Sequence, residues 1–320
     1  MTRRQKILSS FAGTVLVVII VVQAAKIRLD SHYYDGYDAS LPLNPVVQPD
    51  EERSAYTRTA FSFDGLAGMR VPTLMARPKG APGPFPCVIF LHGIGQKKEF
   101  LDEIAPGFVE AGFALVSSDQ YTRGERKLPK SSRLDEILAL RRRAALTVIE
   151  TRRLVDYLQT RPDIYPDRIY LAGASFGAIT GSTAAAFEPR IQAVVLTYGG
   201  GNLPVLLNSK QAAAQVGPLI HLAKYAGAYL FAPSDPILHV REISPRPILF
   251  QSGADDTLVP PASGRALFDA AYGPKDITWY PGDHVGLDPV TTKLVLAECV
   301  SWLKSQDATV VLTAAEKKAK

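Results

Sequence analysis

The chain has 320 residues, 47% of them hydrophobic and 21% charged. That balance excludes a disordered, collagen-like or low-complexity protein and leaves enough apolar mass for a full core. The formal charge of +5 does not mark a nucleic-acid partner. The basic residues are scattered, and the densest group (Arg141, Arg142, Arg143, Arg152 and Arg153) is interspersed with Asp135, Glu136, Glu150 and Asp156, which reads as a solvated helix face.

Residues 1–6 carry Arg3, Arg4 and Lys6, and residues 7–25 form an uncharged run closed by Lys26 and Arg28. At about 1.5 Å per residue this run would reach roughly 28 Å as a helix, enough to cross a hydrocarbon core. It is expected to be a transmembrane anchor or a signal peptide. The length favours the anchor, while Gln23, Ala24 and Ala25 offer small-residue cleavage sites. The denser basic cluster precedes the run, which favours an exported domain. If the run is cleaved, the product is secreted or periplasmic. Residues 26–55 have no sustained period and read as a linker.

From residue 56 the pattern changes. Residues 56–63 and 69–76 predict an opening strand pair, and further strands are predicted at 87–91, 114–118, 169–172, 193–197, 248–251 and 277–280. Helix-period stretches lie near 97–111, 133–160, 176–187, 262–272 and 290–305. Strands apolar on both faces, alternating with helices, predict an α/β fold with a mostly parallel sheet flanked by helices. Residues 199–244 break the rhythm and read as an inserted cap. The domain is expected to span 56–306, with a C-terminal tail at 307–320. The two cysteines, Cys87 and Cys299, read as buried thiols. No Cys/His cluster has metal-ligand spacing, and no cofactor motif is present.

Residues 173–177 read Gly-Ala-Ser-Phe-Gly between a short apolar strand and a small-residue helix start. In that strand–turn–helix setting Gly-x-Ser-x-Gly acts as a nucleophile elbow, with glycines where neighbouring backbones approach closely. A serine hydroxyl needs a base to take its proton, and with this elbow the histidine follows both serine and acid in the chain. Of the five histidines, His32 and His92 precede Ser175, and His221 and His239 fall within the cap. His284, just after a predicted strand, remains. The acid should follow another strand between them, which leaves Asp255 and Asp256, with Asp235 a weaker rival and Asp283 too close to His284 in sequence.

These segments, with Phe90-Leu91-His92-Gly93-Ile94-Gly95, Gly253-Ala254-Asp255-Asp256-Thr257-Leu258-Val259-Pro260 and Gly282-Asp283-His284, make residues 56–305 resemble serine hydrolases of the α/β-hydrolase superfamily, near its dienelactone-hydrolase-like and acetyl-xylan-esterase-like branches. The resemblance implies an acid three residues before the Val-Pro pair, hence Asp256. It also implies an oxyanion hole formed by the backbone N–H groups of Ile94 and Phe176, with His92 structural and residues 119–126 as scaffolding. One departure stands: dienelactone hydrolases use a cysteine nucleophile, and this chain has Ser175. The expected function is carboxylic ester hydrolysis through an acyl-enzyme on small to medium uncharged esters, without cofactor, metal or nucleic acid, and with the N-terminal segment contacting a membrane. A peptidase or thioesterase on the same triad, and an inactive membrane-tethered binding protein on the same fold, are the alternatives.

Overall fold

The computed structural model describes residues 3–129, 131–285 and 288–319, and the side chains of these except 3–13, 15, 19 and 317–319. The chain divides into two compact units, residues 1–35 and 36–320.

The first unit is a helix, α1 (Arg3–Ser31). Its described side chains Leu16, Val17, Val18, Ile20, Val21 and Val22 are each more than half exposed. Among the described residues no helix is long and apolar enough to cross a membrane. Much of the run expected to do so, residues 7–13, 15 and 19, has side chains outside the described set.

The second unit is built on one ten-stranded sheet. In chain order its strands are β1 (Val46–Val47), β2 (Glu51–Glu52), β3 (Tyr56–Asp64), β4 (Arg70–Pro78), β5 (Phe85–Leu91), β6 (Ala114–Ser118), β7 (Ile164–Ala174), β8 (Ile191–Thr197), β9 (Ile248–Gly253) and β10 (Lys275–Tyr280). They are arranged β1-β3-β4-β6-β5-β7-β8-β9-β10, with β2 also on β3. The edge from β1 to β6 is antiparallel, and β6-β5-β7-β8-β9-β10 run parallel. Strands β5 and β9 are buried along their whole length, as parallel strands covered on both faces must be.

Around the sheet lie α2 (Leu101–Glu110), α3 (Arg133–Gln159), α4 (Phe176–Phe187), α5 (Leu203–Leu206), α6 (Lys210–Val216), α7 (Ile220–Leu230), α8 (Pro261–Ala270) and α9 (Pro289–Ala319). A core of Val88, Phe90, Leu115, Tyr170 and Val195 packs against Leu101, Phe108, Cys299 and Leu303 of α2 and α9. Both cysteines are free and buried.

Three sequence expectations change. The segment read as a linker is partly bound into the domain: β1 and β2 pair with β3, and the buried Arg153 guanidinium donates to the carbonyls of Asp38, Leu41 and Pro42 at 2.8–3.0 Å. Periodicity could not reveal this, because two-residue strands and a loop held by a distant side chain have no repeat. The supposed solvated face of α3 is wrong for two of its arginines, since Arg143 and Arg153 are buried. From residue 143 onward most side chains of α3 are buried, and the charges of Arg143, Glu150 and Arg153 point inward with them. Third, the expected tail at 307–320 continues α9 as far as Ala319. Asp307 accepts from Arg168 Nε at 2.7 Å and Nη2 at 2.6 Å, and from Tyr170 Oη at 2.8 Å.

Strand register carries this scaffold to the site. Leu91 pairs with Gly173, Ala174 with Thr197, and Tyr280 with Gly253, so the carboxyl ends of β5, β7, β8, β9 and β10 finish along one edge. The loops that follow share that edge. Asp307→Ala would leave the Tyr170 hydroxyl and Arg168 without their carboxylate, and should lower unfolding free energy by about 2–3 kcal/mol, read as a reduced urea midpoint at unchanged m-value.

Candidate active site

Ser175 sits between β7 and α4 with φ 56° and ψ −119°, a left-handed backbone that L-residues adopt at a cost of about 1–3 kcal/mol. The conformation is held by its neighbours. The Ser175 N–H donates to Thr197 O at 2.8 Å, and its carbonyl accepts from the N–H groups of Ala178 and Ile179. A Cβ on Gly173 would overlap the Gly177 backbone, and one on Gly177 would overlap the Leu91 carbonyl. Both glycines are therefore required by close backbone approach.

The turn presents Ser175 Oγ at 2.9 Å from His284 Nε2. His284 Nδ1 lies 2.7 Å from Asp256 Oδ2, and the other carboxylate oxygen of Asp256 accepts from the N–H groups of Leu258 and Val259, each at 2.8 Å. Asp256 and His284 are both buried, whereas Asp255 is exposed. Asp283 serves the loop: it accepts from the backbone N–H of Thr257 at 2.7 Å and of His284 at 2.8 Å. The Thr257 amide leads the bonds that hold its carboxyl below the usual range. Asp235 accepts from the N–H groups of Asn202 and Leu203 and is not part of the chain from Ser175 to Asp256.

The ring of His284 is also packed. Tyr198, buried and with φ 52°, stands perpendicular to it at 5.6 Å between centroids. Burial, with the nearby Asp256 charge, pushes the Tyr198 phenol up to about 12, so it stays neutral. Sequence reading missed Tyr198, whose only local signal is its place immediately after β8.

Ile94 and Phe176 both border the space above Ser175. The Ile94 N–H makes no backbone hydrogen bond among the described residues, and Phe176 opens α4, so its N–H has no intrahelical acceptor. The loop from His92 to Gln96 is pinned at each step: His92 O accepts from Gln120 Nε2 at 2.8 Å, Gly93 N–H donates to Gln96 Oε1 at 2.9 Å, and Ile94 O accepts from Arg143 Nη1 at 3.0 Å. Arg143 also donates to Gln120 Oε1 at 2.9 and 2.7 Å and lies 4.6 Å from the centre of the Phe176 ring. No ion pair is found for it among the described residues, and burial pushes its guanidinium pKa down, with help from Arg123. His92 is structural: fully buried, with Nδ1 2.9 Å from Gly93 O and its pKa pushed down to about 4 by burial. Residues 119–126 brace this floor, with Asp119 accepting from Lys98 Nζ and Arg126 bidentate on Glu150. The signal for Arg143 was present in the apolar residues that surround it in α3, Ala144, Ala145, Leu146 and Val148, which mark a helix buried on more than one face.

Two cavities of about 570 Å³ each include Ser175 in their walls. One reaches past Phe100, Ile104, Leu296 and Cys299, with His284 in its lining. The other lies beneath the 199–234 segment, against Phe176, Leu203, Leu206, Leu207 and Phe231. The apolar residues of the 199–244 segment thus divide: Leu203, Leu206, Leu207 and Phe231 face the space over Ser175, while Leu219, Leu222, Tyr225 and Tyr229 are exposed. Among the described residues no group of three or more His, Cys, Asp or Glu could hold a metal ion.

A serine at a strained strand-to-helix turn, hydrogen-bonded through a histidine to a buried aspartate at the carboxyl edge of a mostly parallel sheet, defines an α/β hydrolase. Residues 71–286, about two thirds of the chain, match the dienelactone hydrolase family, and the chain belongs to it. It is similar to the esterase YjfP of Escherichia coli (strain K12), 26% identical over 209 residues that cover 59% of this chain and 76% of that one. The fold is shared with an acetyl xylan esterase from Paenibacillus sp. R4, at TM-score 0.68 and 16% identity over 85% of this chain and 93% of that one. It is shared also with a cold-adapted esterase from an Arctic intertidal metagenomic library, at TM-score 0.60 and 19% identity over 83% and 99%.

The turn sets a stability test. Gly177→Ala should cost at least about 3 kcal/mol, because the new methyl meets backbone that cannot move aside. Gly95→Ala, with nothing within 4 Å of the added carbon, should stay within about 0.5 kcal/mol. Chemical denaturation of both variants checks the contrast.

Proposed function

We propose that this hydrolase cleaves carboxylic esters through an acyl-enzyme, acting on small to medium uncharged substrates. The observation that carries the reading is the hydrogen-bonded chain Ser175–His284–Asp256 at the meeting of two largely apolar cavities. His284 Nε2 takes the proton of Ser175 Oγ as that oxygen attacks the ester carbonyl carbon. Asp256 holds the Nδ1 proton and stabilises the imidazolium. The amides of Ile94 and Phe176 receive the negative oxygen of the tetrahedral intermediate, and Arg143 keeps their loop and ring in place. His284 then protonates the leaving alkoxide. Water, deprotonated by His284, attacks the acyl-enzyme and releases the acid. No step calls on a cofactor or a metal.

Asp256→Asn should lower kcat by at least about a hundredfold, because the amide leaves the imidazole in the wrong tautomer. Asp255→Asn, exposed and away from the ring, should have little effect. Steady-state hydrolysis of p-nitrophenyl butyrate measures both, and Ser175→Ala should remove labelling by a fluorophosphonate probe. Equal losses at the two aspartates would sink the assignment.

We also propose that residues 7–25 direct the chain to a membrane or through it. The support is the uncharged run itself, with basic residues at both ends. The full chain should pellet with membranes at high salt and be released by detergent. A chain beginning at residue 36 should stay in the supernatant and retain esterase activity, as shown by immunoblotting and assay of both fractions.

A further inference from the structure

The two cavities differ in which members of the Ser175–His284 pair line them, and that difference orients a substrate. The inference rests on the ester-hydrolase reading and adds where each part of the ester lies. His284 and Val285 form part of the first cavity, which runs on to Leu296 and Cys299. The second is bounded by Ser175 and Phe176, and His284 is not among its walls.

Once Ser175 Oγ has bonded to the carbonyl carbon, three other substituents remain: the oxyanion, the alkoxy oxygen and the acyl carbon. The oxyanion is taken by the Ile94 and Phe176 amides. As the C–O bond to the alkoxy group breaks, its electron pair stays on oxygen and is met by the proton that His284 Nε2 took from Ser175. The alkoxy oxygen must therefore lie on the His284 side, where the first cavity opens. The acyl chain is left with the second.

We propose that the space beneath the 199–234 segment is the acyl site, and that the His284-lined space, which reaches Leu296, is the alcohol site. The substrate class is neutral esters whose acid and alcohol parts are both apolar and both longer than a methyl group. Each cavity falls within the size range of small-molecule sites. No charged side chain lines the acyl site among the described residues. In the alcohol site the charged residues are Glu103 and Lys293, both exposed.

The test uses the full chain and two ester series, one lengthening the acid from acetyl to octanoyl on a fixed alcohol, the other lengthening the alcohol from methyl to octyl on a fixed butyrate. In the wild type kcat/KM should rise by up to about fourfold per methylene in both series until each space fills. Leu206→Trp should lower octanoyl relative to acetyl turnover by at least about tenfold and leave the alcohol-length slope unchanged; Leu296→Trp should do the reverse. Deacylation, followed by single-turnover decay of the acyl-enzyme, should respond to Leu206→Trp alone, because the alcohol has already left.

If a tryptophan variant does not fold, Leu206→Ala and Leu296→Ala decide by extending the longest acid and the longest alcohol accepted, respectively. A crossed pattern, or both variants acting on the same arm, overturns the assignment. Ester hydrolysis that falls steadily beyond acetyl and methyl overturns this inference while sparing the esterase reading. A wild-type protein that hydrolyses no ester overturns both.

Discussion

The site depends on a close backbone approach between β5, β7 and the start of α4. Ser175 has a left-handed φ only because Thr197 O takes its N–H and because Gly173 and Gly177 have no Cβ to separate the chains. Such strain persists where the surrounding structure over-determines it. Here the over-determination comes from the sheet, since Leu91, Gly173 and Thr197 belong to three adjacent parallel strands in fixed register. The same order puts the ends of β9 and β10 close by, so Asp256 and His284 arrive from separate loops to a serine that is already in place.

Helix α3 supports this arrangement with buried cations. Arg143 fixes Ile94 O and lies by the Phe176 ring, and Arg153 gathers the carbonyls of the 38–42 segment. Arg143 has no ion pair among the described residues, and the Asp156 carboxylate near Arg153 stands 3.9 Å away. A buried guanidinium has five N–H donors to satisfy, and carbonyl dipoles and the Gln120 amide supply most of its partners here. Removing a partner from such a network costs more than the bond itself is worth, because the other group stays desolvated. The floor of the candidate oxyanion site is thus stiffened from behind by a residue that lines neither cavity.

The 199–244 segment has two apolar surfaces with different surroundings. Leu203, Leu206, Leu207 and Phe231 turn toward Ser175, and Leu219, Leu222, Tyr225 and Tyr229 toward solvent. The inward set bounds a cavity whose charge-free lining favours uncharged groups through burial. Its location follows from topology: the segment leaves the carboxyl end of β8, the strand that pairs with β7 beside the Ser175 turn.

Much of this was legible in the chain itself. The alternation of short apolar runs with helical periods set the parallel core, because strands buried on both faces must be apolar throughout. The Gly-Ala-Ser-Phe-Gly turn and the order of serine, acid and histidine singled out Ser175 and His284 by local chemistry, and the family resemblance chose Asp256 from two adjacent aspartates. Tertiary structure alone decided that Tyr198 packs on the His284 ring, that Arg143 and Arg153 point inward, that residues 46–52 join the sheet, and that α9 runs through Asp307, which meets Arg168 and Tyr170. Each of these rests on contacts between separate parts of the chain that leave no local repeat. Periodicity reports the face that an element buries, and it carries no record of the partner that waits there.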